Sequence, residues 1–330
     1  MSGQPTVGHS DPGERRVVLA HHEDVVRAAR RIASHVHRTP VATSERLNEL
    51  AGAELFFKCE NLQKTGAFKI RGATNAVLRL TVAERRLGVA THSSGNHGAA
   101  LANAARQVGA SAWIVVPETA TTIKRANIER YGGQIVECGP TLVDREAKLE
   151  EVLADTGATC IPPYDHDDVI AGQGTLGLEL VDQAEELDSI WLPVGGGGMA
   201  AGVVAAVGAT GVQVCGAEPA LADDAAESLA RGELLGPRPP KTMADGLRTG
   251  LGRRNFERLL AYGLPITLVD EEAIDSAMRL LWACLKLVVE PSGAVAFAAV
   301  LGAHPRGRIG IVLSGGNVEL DLWGQSKVPE

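Results

Sequence analysis

The chain has 330 residues, of which 45% are hydrophobic and 22% are charged, and its formal net charge is −8. This composition excludes a mainly disordered or fibrous chain, and without an apolar run of about 20 residues no membrane-spanning helix is predicted. The acidic balance argues against nucleic acid as a partner. Five scattered cysteines without a CxxC pair predict reduced thiols, and no apolar signal-peptide core is present, so we expect a cytoplasmic protein.

Residues 1–15 are polar, and we expect them to form a mobile tail before a helix that begins at His22. Short apolar strands then alternate with helices. The predicted strands are Glu54–Cys59, Gly88–His92, Ala112–Val116, Gln134–Glu137, Ile190–Val194, Val212–Ala217, Ile266–Val269 and Ile309–Leu313. The predicted helices are Lys69–Leu80, Asn96–Val108, Thr122–Tyr131, Leu142–Ala154, Ala171–Leu187, Met199–Val207, Ala222–Ala230, Glu271–Leu287 and Gly293–Leu301. This alternation predicts an α/β fold with parallel sheets, whose ligands bind at the carboxyl ends of the strands.

Four consecutive glycines, Gly195 to Gly198, follow a predicted strand and open a helix. The backbone N–H groups of such a loop attract an anion, typically a phosphate. The same run fits the dinucleotide fingerprint G-x-G-x-x-A through Gly195, Gly197 and Ala200, and Glu218 lies roughly twenty residues further on. Taken alone, this loop favours an NAD(P)-dependent oxidoreductase.

Three further segments carry polar groups near the ends of predicted strands. Ser93–Gly98, with the sequence SSGNHG, could bind a carboxylate or a polar ring substituent. Lys69 lies between Phe68 and Ile70, and a lysine in an apolar environment has a lowered pKa and can form an imine with an aldehyde. Ser314 begins a late glycine loop. Together with a phosphate site these groups match pyridoxal 5′-phosphate, whose aldehyde, phosphate, phenolic oxygen and ring nitrogen each need a partner, whereas NAD has no use for the lysine.

Eight segments resemble, in chain order, the serine/threonine dehydratase and serine racemase family: GAFKIRGATNAV, THSSGNHGAALA, VIAGQGT, GGGG, EPALADDAAES, ADGL, EPSGA and LSGGN. These are pyridoxal-phosphate enzymes of fold type II, the tryptophan-synthase-β fold. The resemblance implies two open, twisted, mainly parallel α/β sheets. One would lie in a large cofactor-binding domain, residues 16–74 and 163–330, and the other in a small mobile substrate domain, residues 75–162. A homodimer is also expected.

The resemblance further implies the residues of the site. Lys69 would bind the cofactor covalently and remove the Cα proton. The other cofactor contacts would be Phe68 beside the ring, Asn96 at the phenolic oxygen, Ser314 at the ring nitrogen, and Gly195, Gly196, Gly197, Gly198 and Met199 at the phosphate. The residues near the substrate would be Ser93, Ser94, Gly95 and His97 at its carboxylate, and Arg145.

The segment EPALADD resembles the divalent-cation site of this family. The carboxylates of Glu218 and Asp224 and the carbonyl of Ala222 would be ligands, and all-oxygen ligation suits Mg²⁺, Ca²⁺ or Mn²⁺. The alternative is an acidic helix start that the helix dipole stabilises. Because the family interpretation explains Glu218 without a ribose, the dinucleotide hypothesis loses support.

The function that the resemblance favours is β-elimination of L-threonine and L-serine to a 2-keto acid and ammonia. With the same cofactor, the alternatives are a serine racemase, in which Ser94 would deliver a proton from the face opposite Lys69, and a 3-hydroxyaspartate ammonia-lyase. The sequence Ile-Arg-Gly after the lysine disfavours a β-replacement enzyme of the cysteine-synthase type. A catalytically silent binding protein is a further alternative.

Overall fold

The computed structural model describes residues 21–93, 95–120, 122–236 and 241–318, which form two sheets flanked by helices. The strands are β1 (Val41–Ala42), β2 (Glu54–Cys59), β3 (Val89–His92), β4 (Ala112–Pro117), β5 (Gln134–Cys138), β6 (Thr159–Cys160), β7 (Ser189–Pro193), β8 (Gln213–Pro219), β9 (Ile266–Val269) and β10 (Arg308–Leu313). The α-helices are α1 (His22–Ile32), α2 (Glu45–Ala51), α3 (Lys69–Arg79), α4 (Val82–Leu87), α5 (Asn96–Gln107), α6 (Thr122–Arg130), α7 (Leu142–Thr156), α8 (Asp167–Gln183), α9 (Gly198–Val207), α10 (Asp224–Arg231), α11 (Arg253–Tyr262), α12 (Glu271–Leu280) and α13 (Pro291–Ala303).

Strand order divides the described residues into a larger and a smaller sheet. The larger has the order β1-β2-β10-β7-β8-β9, and the smaller has the order β5-β4-β3-β6. All neighbouring strands in these sheets run parallel except β1, which pairs antiparallel with β2. The predicted α/β class with two mainly parallel sheets is therefore confirmed. The four strands of the smaller sheet fall within residues 75–162, and the domain boundaries themselves stay a prediction.

Two predicted helices differ from the structure by four or more residues at an end, for local reasons. Helix α8 begins at Asp167 because the side chain of His166 accepts a backbone hydrogen bond in the first turn. Helix α12 ends at Leu280, passes into a π-helical turn over Leu281–Leu285, and stops at Lys286, whose φ of 60° is left-handed. The sequence predicted nothing at β1, β6, α2, α4 or α11. The two strands have only two residues each, too few to show a period.

The motif VIAGQGT lies where α8 crosses α3 and α9. A Cβ added at Gly172 would lie 2.6 Å from the Cα of Gly72 in α3, and one at Gly174 would overlap the carbonyl oxygen of Gly202 in α9. The side-chain oxygen of Gln173 accepts a hydrogen bond from the backbone N–H of Gly72 at 3.1 Å. These contacts allow only glycine at the crossings, and they fix the position of α3, which begins at the predicted cofactor lysine.

Three observations bear on the expectations from composition. All five cysteines are free thiols. Among the described residues, no helix is both long enough and apolar enough to span a membrane. The predicted mobile tail, residues 1–15, lies outside the described residues.

Candidate active site

Residues predicted for the site follow parallel strands of both sheets. Asn96 begins α5 after β3, the glycine loop follows β7, Glu218 lies at the end of β8, and Ser314 follows β10. In open parallel sheets the carboxyl ends of the strands form the ligand-binding edge. The predicted loops therefore lie where the fold class expects a ligand.

Lys69 is the first residue of α3, and its amine is in a partly buried, aromatic environment. Its Nζ donates a hydrogen bond to the carbonyl of Pro163 at 2.8 Å. The same Nζ lies 5.1 Å from the ring centroid of Phe68 and 5.8 Å from that of Tyr164. Burial lowers the pKa of Lys69 to about 8, although the charge of Glu290 acts in the opposite direction. A useful fraction of the amine is thus neutral near physiological pH, as a nucleophile or a base requires.

The glycine loop, Gly195–Gly198, is buried and leads into α9. Gly197 has a φ of 81°, and the carbonyl of Gly196 accepts a hydrogen bond from the side chain of Asn255 at 2.6 Å. A Cβ at Gly196 would overlap the ring of Tyr164. The first N–H groups of a helix have no acceptor within it, so the start of α9 can bind an anion. The loop therefore fits the phosphate of the cofactor.

Replacing Gly196 by alanine tests whether the close contact between the glycine loop and the ring of Tyr164 matters for cofactor binding. Because the new methyl group overlaps Tyr164, we expect the ring to shift and pyridoxal phosphate to bind the apoenzyme about 10- to 100-fold more weakly. The measurement is a titration of the apoenzyme with the cofactor, monitored through its absorbance. Gly302→Ala is the matched control, because a Cβ there meets no atom within 4 Å. Equal cofactor affinity in both variants would contradict the prediction.

Ser314 lies directly beside the segment that carries the lysine. Its backbone carbonyl accepts a hydrogen bond from the N–H of Phe68 at 3.0 Å. Its buried hydroxyl makes only a long contact, 3.5 Å, to the carbonyl of Ser292. A hydroxyl with such a weak partner fits an additional hydrogen bond to a ring nitrogen. Met199, the second residue of α9, is also buried.

Asn96 lies between two polar side chains for which no role was predicted. Its Nδ2 donates to Oε1 of Glu290 at 2.7 Å, and its Oδ1 accepts from Nδ2 of Asn317 at 2.8 Å. Glu290 belongs to the motif EPSGA and Asn317 to the motif LSGGN. These motifs were the sequence signal from which a role for the two residues could have been predicted. No role was predicted for Tyr164, and Asn255 had no sequence signal.

The loop between β3 and α5 contains the predicted carboxylate contacts. Gly95 is the residue before α5, and Ser93 anchors the loop through a hydrogen bond from its N–H to the carbonyl of Val115 at 3.1 Å. Ser94 lies outside the described residues. The roles of these residues stay predictions.

His97, in the first turn of α5, has a buried imidazole. Its Nε2 lies 2.9 Å from the carbonyl of Ile161, to which it donates, and its Nδ1 has no partner among the described residues. Burial lowers the pKa of His97 to about 3, so the ring is neutral at physiological pH. A substrate carboxylate would accordingly meet the backbone N–H of this residue and not its imidazole.

Arg145 lies in α7 of the smaller sheet's helical layer. Its Nε donates to the carbonyl of Thr141 at 3.3 Å. The pKa of His92, which ends β3, is lowered by burial and also by the charge of Arg145. The arginine therefore lies near enough to the end of β3, where the Ser93 loop begins, for its charge to act on His92.

The predicted cation ligands Glu218, Ala222 and Asp224 lie near the start of α10. Glu218 is buried, and its carboxylate accepts hydrogen bonds from the backbone N–H groups of Ala225 and Ala226 at 3.2 and 2.9 Å. Burial raises the pKa of Glu218 to about 8, and the charge of Asp224 adds to this effect. Two close carboxylates in a buried position suit a divalent cation. Glu218 is only 1% exposed, and a ribose contact needs an accessible carboxylate, so the dinucleotide hypothesis is not supported.

The described residues contain no group of three or more His, Cys, Asp or Glu side chains that could hold a metal ion. The predicted ligand set is of a different kind, because it has only two carboxylate side chains and takes its third oxygen from a backbone carbonyl. The cation site therefore stays a prediction.

Comparisons with known proteins identify the family of the chain. The model of the family "Pyridoxal-phosphate dependent enzyme" matches residues 32–315. The β-hydroxyaspartate dehydratase of Paracoccus denitrificans is 45% identical over 91% of this chain and 97% of its own. The structure of maize serine racemase has a TM-score of 0.90 at 42% identity, covering 93% of this chain and 96% of that one. The structure of a threonine deaminase from T.th. has a TM-score of 0.86 at 43% identity, covering 91% and 99%. The chain therefore belongs to the pyridoxal-phosphate-dependent enzymes of fold type II.

Proposed function

We propose that this chain catalyses β-elimination on a small β-hydroxy-α-amino acid, with 3-hydroxyaspartate as the preferred substrate. The Cα–H bond breaks first, and the Cβ–O bond then breaks with loss of water. The released enamine tautomerises to an imine, which water hydrolyses to oxaloacetate and ammonia. The observation that carries the proposal is the position of Arg145, and the name of the Paracoccus denitrificans relative supports it.

Arg145 is a cation beside the substrate loop. Among the described residues it forms no ion pair with a carboxylate, and its Nε contacts only the carbonyl of Thr141. Its charge acts on His92, directly before Ser93. A guanidinium group binds a carboxylate through two parallel hydrogen bonds. Arg145 can therefore bind the second carboxylate of a dicarboxylic amino acid, which serine and threonine lack.

The other carboxylate of the substrate would bind at the start of α5. Backbone N–H groups in the first helical turn have no acceptor within the helix, and the helix dipole favours an anion there. Ser93, Gly95 and His97 lie in or beside this turn. With one carboxylate here and the other at Arg145, Cα and the β-hydroxyl would lie between the two anchors.

Lys69 supplies the base for the reaction. Because burial lowers the pKa of its amine to about 8, Lys69 can take up the Cα proton and return it at neutral pH. Bound pyridoxal phosphate supplies the electron sink that makes Cα acidic. Ser314 would offer the ring nitrogen a neutral hydroxyl, and such a partner would not hold that nitrogen protonated as an aspartate does. This weaker sink favours prompt loss of the β-group.

The cation site has a supporting role in this proposal. Glu218, Ala222 and Asp224 would hold Mg²⁺ or a similar divalent cation through oxygen ligands. The cation would neutralise the two buried carboxylates. We expect it to stabilise the start of α10, where Asp224 accepts a hydrogen bond from the backbone N–H of Leu251 at 3.0 Å. The side chain of Leu251 in turn lies against Gly197 of the glycine loop.

Two other activities are candidates. Serine racemisation is favoured by the likeness to maize serine racemase and by Ser94, which would deliver a proton to the face opposite Lys69. Dehydration of L-threonine and L-serine, the function first favoured by the sequence, has support from the threonine deaminase structure. The relatives named as racemase and hydroxyaspartate dehydratase favour the alternatives over that first interpretation.

A substrate panel on the purified holoenzyme tests the proposal. It contains both stereoisomers of 3-hydroxyaspartate, L-threonine, L-serine and D-serine, with keto acid and product chirality measured together. We expect kcat/KM to be highest for 3-hydroxyaspartate. In Arg145→Met this value should fall by about a hundredfold, because a charged hydrogen-bond pair is lost, while that for L-serine changes by only about threefold.

Lys148→Met is the matched control, because Lys148 lies in the same helix and pairs with Glu151 instead. A higher kcat/KM for L-threonine and L-serine than for 3-hydroxyaspartate would favour the dehydratase. Formation of D-serine as fast as pyruvate, and its loss in Ser94→Ala, would favour the racemase. Either result would overturn the proposed substrate.

A further inference from the structure

A continuous chain of side-chain hydrogen bonds joins the lysine segment to a buried carboxyl group. Nδ2 of Asn317 donates to the carbonyl of Thr65 at 2.8 Å and to Oδ1 of Asn96 at 2.8 Å. Nδ2 of Asn96 in turn donates to Oε1 of Glu290 at 2.7 Å. Residues from four parts of the chain are thus linked through two side-chain amide groups, those of Asn317 and Asn96.

The backbone carbonyl of Thr65 determines which group donates in each of these hydrogen bonds. The backbone carbonyl of Thr65 can only accept, so the NH₂ group of Asn317 must face it. Both hydrogens of that NH₂ are then used, one toward Thr65 and one toward Asn96. Asn96 must therefore present its oxygen to Asn317 and its NH₂ to Glu290. One N–H of Asn96 remains for a further acceptor.

Glu290 is held firmly at the other end of the chain. It precedes α13 and is only 4% exposed. Burial, reinforced by the charge of Asp245, raises its pKa to about 8, and the cations facing it in the described structure are Lys69 and Lys124. A Cβ at Gly315 would overlap its Oε1, so the carboxyl group is confined from that side too. In this confined position its Oε1 accepts the hydrogen bond from Asn96.

We propose that Glu290 is a positioning residue, which acts through Asn96 to aim the remaining amide N–H at the phenolic oxygen of the cofactor. The inference rests on the cofactor contact predicted for Asn96 and is independent of which amino acid is the substrate. Glu290 supplies the acceptor that fixes one amide hydrogen, and Asn317 supplies the donor that fixes the amide oxygen. If either Glu290 or Asn317 loses its side chain, the amide of Asn96 can rotate about its last side-chain bond.

The absorption spectrum of the bound cofactor reports this contact. A phenolic oxygen that accepts a hydrogen bond from Asn96 is stabilised as the anion, which absorbs in the visible range. Without a directed donor the oxygen retains its proton, and the absorbance moves to the near ultraviolet. The spectrum therefore responds to the orientation of Asn96 independently of turnover.

The experiment compares spectra and cofactor dissociation constants of five folded holoenzymes with those of the wild type. Asn96→Ala is the reference for loss of the contact. We expect Glu290→Leu and Asn317→Leu to lose most of the visible band and to bind pyridoxal phosphate about tenfold more weakly. Glu290→Gln, whose side-chain oxygen can still accept from Asn96, should keep the visible band. Glu272→Leu, at an exposed position in α12, is the control for loss of a glutamate.

Two results would overturn the inference in distinguishable ways. If Asn96→Ala loses the visible band while Glu290→Leu and Asn317→Leu keep it, the amide is positioned by something else, and the cofactor contact stands. If Asn96→Ala itself keeps the band, the predicted cofactor contact is wrong as well. Should Glu290→Leu not fold, Asn317→Leu decides the question, because Asn317 is exposed and its replacement removes no buried group.

Discussion

Replacement of Lys69 by alanine is expected to abolish the visible absorbance of the purified protein and to lower kcat by at least about a thousandfold. The amine would be both the covalent attachment point and the base, so a single substitution removes two functions. The measurements are an absorption spectrum and a keto-acid assay. Lys64→Ala is the control from the segment just before the motif, because the amine of Lys64 donates to the carbonyl of His35 at 2.7 Å. A coloured and active Lys69→Ala protein would contradict the assignment.

The pH dependence of cofactor binding tests the state of the same amine. Only neutral Lys69 can attack the aldehyde, and burial lowers its pKa from 10.5 to about 8. At pH 7.5 roughly a quarter of the amine is then neutral, against about one part in a thousand for an ordinary lysine. The rate of covalent reconstitution of the apoenzyme should therefore rise between about pH 6.5 and 9.5 and level off above a midpoint near 8. A rate that still rises tenfold per pH unit at pH 9.5 would show an unshifted amine.

Replacement of Arg71 by methionine is expected to lower the free energy of unfolding by about 3–5 kcal/mol. Arg71 is fully buried in α3, two residues after the lysine. Its guanidinium group donates to both carboxylate oxygens of Glu60 at 2.7 and 2.8 Å and to both of Glu179 at 2.7 and 2.8 Å. Nζ of Lys58 donates to Glu179 at 2.6 Å. Without the arginine, the fully buried Glu60 is left with an uncompensated charge.

Urea denaturation of the apoenzyme measures this loss. Arg38→Met is the control, because Arg38 forms an exposed ion pair with Asp182 that should contribute less than about 1 kcal/mol. The double variant Arg71→Met with Glu60→Gln should recover part of the stability, since it removes the unpaired charge. A loss below about 1 kcal/mol in Arg71→Met would mean that the ion-pair network does not stabilise α3.

Local patterns predicted most of the elements that surround the site. Strands β2 and β9 have the bounds that their apolar runs predicted, and the glycine loop leads from β7 into α9 as expected. These features depend on neighbouring residues only. The end of α12 could not be predicted in the same way, because its apolar periodicity continues through the π-helical turn to Lys286.

The sequence by itself determined the α/β class, the family, its cofactor, and the loops that carry Lys69, Asn96 and Ser314. Each of these signals consists of residues adjacent along the chain. Only the tertiary structure brought Glu290 and Asn317 to the amide of Asn96, about two hundred residues away in sequence. It also decided which groups are buried, and with that the pKa of Lys69. Burial and long-range contacts arise from the packing of distant segments, which no local pattern records.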